Sequence, residues 1–93
     1  SQRAHDHSAV LSFSYPTAGD ATIVERSLSV EVDQLDADRS TAGVSRTDRR
    51  VDIEIRATDL VALRAGLNSW LRYVSVAEQL LAVRRRDGHD RSL

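Results

Sequence analysis

From Ala9 to Tyr15 the chain alternates, with Val10, Ser12 and Ser14 pointing one way and Leu11, Phe13 and Tyr15 the other. A period of two predicts a strand with one apolar face, and Pro16 ends it. Helical spacing follows. Thr17 with Asp20 three residues on makes a capping-box-like start, and Ala21, Val24 and Leu28 form a core stripe, with Ile23 on a different side. Ser29 to Asp38 admits two readings, an extended helix or an irregular connection, with Asp36-Ala37-Asp38 as loop. A hairpin comes next: Arg39 to Arg46 as a polar strand, Thr47-Asp48-Arg49 as the turn, and Arg50 to Ala57 as the return strand. Val51, Ile53 and Ile55 take one face of that strand, and Asp52, Glu54 and Arg56 the other.

The last element is the clearest. Asp59 is the cap of a long helix predicted to run to about Arg84. Leu60, Leu63, Leu67, Trp70, Leu71, Val74, Ala77 and Leu81 recur at spacings of three and four as its core stripe. The expected fold class is α+β: a β-α-β-β-α two-layer domain, with a three-stranded antiparallel sheet and two helices on one face. Residues 9–83 form its single domain. Residues 1–8 are expected as a flexible N-terminal segment and 84–93 as a flexible basic C-terminal tail.

The long helix carries more apolar residues than one stripe requires. Tyr73, Val76, Leu80 and Val83 lie roughly opposite the core stripe, and a two-layer domain has nothing of its own to cover them. Such a patch marks a partner-binding surface, which Ile23 on the first helix extends. The plainer alternative is that these residues cap the end of the core.

Composition narrows the chemistry. The chain has 93 residues, a formal net charge of −1, 13 arginines, no lysine and no cysteine. Disulfides and thiolate metal sites are excluded, and the chain is expected in the cytoplasm. No apolar run approaches the length of a membrane span, and no signal-peptide pattern stands in Ser1 to Ser8. Genome composition, or salt adaptation, accounts for the arginine usage more readily than a need for guanidinium. A charge so near zero argues against purely electrostatic attachment to nucleic acid. Local clusters remain. Arg64, Asn68 and Arg72, four apart on the long helix, make one polar row that Arg39 is able to join. The row suits phosphate or an acidic partner, or simply a solvated flank. Arg84, Arg85 and Arg86 suit phosphates, or the negative end of a helix. His5-Asp6-His7 is too short and terminal to be a metal site. The glycines Gly19, Gly43, Gly66 and Gly88 are isolated, so no phosphate-cradling loop forms. No nucleophile has a base in an ordered element. The expectation is no catalysis, no cofactor and no metal.

The run Ala57-Thr58-Asp59-Leu60-Val61-Ala62-Leu63-Arg64-Ala65-Gly66-Leu67-Asn68-Ser69-Trp70-Leu71-Arg72 resembles the archaeal small dimerising subunit of the KEOPS complex (the CTAG/Pcc family), or a paralogue of it. The likeness lies in an acidic helix start, then Leu-Arg-Ala, Asn-Ser and Leu-Arg. Arg39-Ser40 opening the second strand fits too, as do Ser27-Leu28 and Glu31 around the end of the first helix. Where the family often has a proline after the first helix, this chain has Ser29-Val30. The resemblance implies a non-catalytic dimerising subunit that supports threonylcarbamoyladenosine modification of tRNA. It would bind the catalytic subunit of KEOPS, pair with itself or a paralogous small subunit, and help to bind tRNA. Tyr73, Val76, Leu80, Val83 and Ile23 are then the residues for protein partners. Arg39, Arg64, Asn68, Arg72, Arg84, Arg85 and Arg86 are those for tRNA. The competing expectation is a free-standing small RNA-binding module using the polar sheet face, which lacks the aromatics that stacking needs.

Overall fold

A computed structural model describes residues 7–32 and 40–91, with side chains as far as Arg84. Its elements are β1 (His7–Ser14), α1 (Ala18–Glu31), β2 (Ser40–Thr47), β3 (Arg50–Ala57) and α2 (Leu60–Arg91). The three strands form one antiparallel sheet in the order β1-β3-β2. The most apolar strand is thus central and the two weaker ones are edges. Register puts Leu11, Ile53 and Val44 in one cross-strand row of the inner face, and Ala9, Ile55 and Ala42 in the next. Ser12, Asp52 and Ser45 make a row of the outer face. Both helices cover the inner face, α1 over β2 and β3, α2 over β3 and β1.

Local chemistry explains the boundaries. The Thr17 hydroxyl accepts from the Asp20 amide at 3.0 Å and starts α1. Asp59 does the same for α2, its Oδ1 accepting from the Ala62 amide at 2.7 Å. Such caps satisfy backbone donors that have no partner within the helix. The two-residue hairpin loop bends at Asp48, whose φ of 56° is left-handed.

The core joins Ala21, Val24 and Leu28 of α1, Val51, Ile53 and Ile55 of β3, and Trp70, Val74, Ala77 and Leu81 of α2. Fully burying a large apolar side chain stabilises by about 1.5–3 kcal/mol, so this layer dominates the stability. Gly66 is buried where α2 crosses β3: a Cβ there would stand 3.1 Å from Ile55 Cγ2. Its missing side chain sets how closely helix and sheet approach.

Four sequence expectations change. β1 begins at His7, so the ordered fold reaches into the segment 1–8 expected to precede it. α1 continues through Glu31, which decides the first part of the ambiguous segment for helix; Asp36-Ala37-Asp38 lies outside the described residues. α2 continues past Arg84 to Arg91, since no proline interrupts it and one glycine costs only about 1 kcal/mol. Leu60 and Leu71 leave the predicted core stripe. They are 62% and 48% exposed, while Leu63 and Leu67 are half-buried. The interior is instead approached by Ala62, Gly66 and Trp70, small and large residues that let the helix sit down on β3.

Candidate partner-binding surfaces

Two separate apolar surfaces emerge along α2. On the side facing α1, Val76, Leu80 and Val83 are 50%, 57% and 45% exposed. Beside them Tyr73 and Ile23 are half-buried and pack on the core, so they form the floor of this surface and not its crest. Tyr73 is held there by an edge-on contact with Trp70, ring centroids 5.2 Å apart at 82°. A groove of about 170 Å³ runs between the helices, where Ser27 and Glu31 of α1 meet Tyr73, Val76 and Leu80 of α2. Its polar rim comes from α1 and its apolar wall from α2.

The second surface was hidden within the predicted core stripe. Leu71 is nine residues before Leu80, about 180° around the helix, and Leu60 is within about 20° of Leu71. Leu60 and Leu71 therefore face away from α1, on the flank above β1. Leu63 and Leu67 of α2, and Leu11 and Phe13 of β1, are half-buried and pack against the core. A heptad-like spacing does not distinguish a stripe two elements cover from one that a single narrow sheet leaves half open. Sequence alone therefore gave no sign of this flank.

The polar positions lie apart from these surfaces. Arg64, Asn68 and Arg72 are all exposed on α2. Arg84 is exposed near the end of the described side chains, and Arg85 and Arg86 continue the helix, their side chains outside the described residues. Arg39 lies outside the described residues, as do His5 and Asp6. The outer sheet face carries Arg50 paired to Asp52 at 3.2 Å and Arg56 to Glu54 at 3.3 Å, and Ser12 donates to Asp52 at 2.7 Å. Phe13, Tyr15 and Trp70 all turn to the interior.

Two features had no signature in the sequence. Tyr15 donates its hydroxyl to Glu78 at 2.8 Å, tying the end of β1 to the second half of α2. Burial, and then the hydrogen bond and charge of Glu78, push the Tyr15 hydroxyl well above its ordinary pKa. The Trp70 indole N–H is buried and has no hydrogen-bond partner among the described residues. Such an orphan donor costs about 1–3 kcal/mol, which the packing of the largest core side chain outweighs.

Among the described residues, no group of three or more His, Cys, Asp or Glu side chains is arranged to hold a metal ion, and no helix is long and apolar enough to cross a membrane.

Known proteins supply the remaining finding. A family model described as "Transcription factor Pcc1" matches residues 8–82. The curated protein "KEOPS complex subunit Pcc1" of Pyrococcus abyssi (strain GE5 / Orsay) is 33% identical over 69 residues, covering 74% of this chain and 84% of its own. A chain in a solved structure described as "Crystal structure of binary complex Gon7-Pcc1" shares 24% identity at a TM-score of 0.75, covering 84% of this chain and 95% of its own. At that identity the likeness is one of fold.

Proposed function

The chain belongs to the Pcc1 family, and from that membership we propose that it is a non-catalytic docking subunit of the KEOPS assembly, supporting threonylcarbamoyladenosine modification of tRNA. The observation that carries this reading is the pair of uncovered apolar surfaces on opposite flanks of α2. A subunit that binds both a catalytic subunit and a second small subunit, its own copy or a paralogue, needs two such surfaces. A small two-layer domain would leave neither open for stability's sake, because exposed aliphatic patches invite association.

The family description speaks of a transcription factor. With a net charge of −1 and an exposed helix surface that is apolar as well as arginine-bearing, the chain is better suited to protein contacts than to a basic recognition helix in a DNA groove. The competing RNA-binding module needs aromatic platforms on an open face, and the aromatics here turn inward.

The test is co-purification of the full chain with its catalytic subunit, and light scattering for self-association. The wild type should be retained by the catalytic subunit, and Val76→Ser with Leu80→Ser should alter one of the two associations while the domain stays folded. A wild-type chain that is strictly monomeric and ignored by that subunit would contradict the reading.

A further inference from the structure

Topology gathers arginines from distant parts of the sequence at one end of the domain. β1 ends and β3 begins there: Ser14 lies opposite Arg50, which lies opposite Thr47 across the hairpin. The Tyr15 amide donates to the Arg49 carbonyl at 2.9 Å and closes that end. α2 starts at the other end of the sheet, after Ala57, and runs back until Glu78 meets Tyr15. Six residues further on, about 9 Å along the axis, it carries Arg84 beyond the margin of the sheet. Hairpin tip and overhanging helix thus share one end of the molecule.

Between β1 and the tip, Ser14, Tyr15, Thr47, Asp48, Arg49 and Arg50 line a cleft of about 230 Å³, two guanidinium groups against one carboxylate. Its ion pairs are exposed to solvent. Arg49 Nε reaches Asp48 only at 4.0 Å, and both side chains are largely exposed. Arg50 Nε is 3.2 Å from Asp52, with its side chain 56% exposed. A guanidinium presents five donors, more than one carboxylate uses. Arg46 plays a different part. Its Nε lies 3.4 Å from Glu25 of α1 and its Nη1 donates to the Asp48 carbonyl at 2.8 Å, bracing the left-handed turn that carries Arg49. The neighbouring acids keep the field short-ranged, so the site suits forked contacts to individual phosphates, not broad attraction.

We propose that this end of the domain grips the phosphodiester backbone of an RNA, through Arg49 and Arg50 with the Ser14 and Thr47 hydroxyls, and through Arg84 on the overhanging turn of α2. The inference rests on the tRNA reading above and gives the contact a place on the chain.

The experiment titrates tRNA into the full chain bound to its catalytic subunit, at several salt concentrations. Arg49→Ala with Arg50→Ala should weaken binding about tenfold and flatten the slope of log affinity against log salt by about one for each guanidinium lost. Arg49→Lys with Arg50→Lys keeps the charges and should restore most of the slope. If the wild-type assembly binds tRNA and the alanine pair leaves affinity and slope unchanged, the tip is not the site, while the wider reading stands. An assembly that binds no tRNA at all overturns both. Loss of the catalytic subunit from the alanine pair would make the tip a protein contact and overturn the proposal. So would a response at the tip to inorganic phosphate alone with tRNA affinity unmoved.

Discussion

The hydroxyl of Tyr15 and the carboxylate of Glu78 stand 2.8 Å apart across 63 positions of sequence, joining the last turn of the sheet to the second half of the long helix. The hydrogen bond is charge-assisted and only partly buried, so its net worth is of order 1 kcal/mol. Tyr15→Phe should lower stability by about that amount, because Glu78 regains water when its donor is lost. The pH dependence follows from the same contact. The folded Tyr15 hydroxyl titrates above its ordinary value of 10.0, so the stability it contributes is complete below about pH 10 and drains away as pH climbs toward the folded value. Denaturant titrations between pH 9 and 11 should show a steeper decline for the wild type than for Tyr15→Phe. Parallel declines would remove this account.

Gly66 faces Ile55 with no room for a relaxed Cβ, 3.1 Å from the Ile55 Cγ2. Alanine there gains about 1 kcal/mol of helix propensity but presses on a fully buried neighbour, at about 1–3 kcal/mol for overpacking. Gly66→Ala should therefore be slightly destabilising and Gly66→Leu severely so. Urea midpoints of the two variants measure the difference, and a stabilised leucine variant would mean that α2 sits further from β3.

The hairpin turn rests on Asp48 at a φ of 56°. Aspartate tolerates that region, glycine more so, and β-branched residues least. Asp48→Val should cost about 1–2 kcal/mol, with Asp48→Gly close to neutral. Thermal melts of both variants check this; equal melting points would show that the turn relaxes out of the left-handed region.

The two flanks of α2 should be separable. Val76→Ser with Leu80→Ser touches the groove beside α1, and Leu60→Ser with Leu71→Ser touches the flank above β1. These side chains are all close to half exposed or more, so each pair should leave stability within about 1 kcal/mol of wild type. Each should abolish one association, with the catalytic subunit or with the second small subunit, and spare the other. Both associations failing together, or neither failing, would mean that the surfaces do not serve separate partners.

The amino-acid pattern by itself determined the element order, the faces of β1 and β3, the caps at Thr17 and Asp59, and the core stripe of α1. These are local: a period of two or of 3.6 sets which side of an element is apolar, and a hydroxyl or carboxylate at a helix start satisfies the amides next to it. It also marked Val76, Leu80 and Val83 as surplus to one stripe. Only the tertiary structure decided how wide the covered side of α2 is. The sheet has three strands and α2 has one helical neighbour, so Trp70, Val74, Ala77 and Leu81 are buried while Leu60 and Leu71, in phase with the same stripe, stay open. Tyr15 meeting Glu78, and Arg49 sharing an end of the domain with Arg84, were likewise beyond reach of periodicity, since such meetings depend on where the chain turns back and not on the spacing of neighbours.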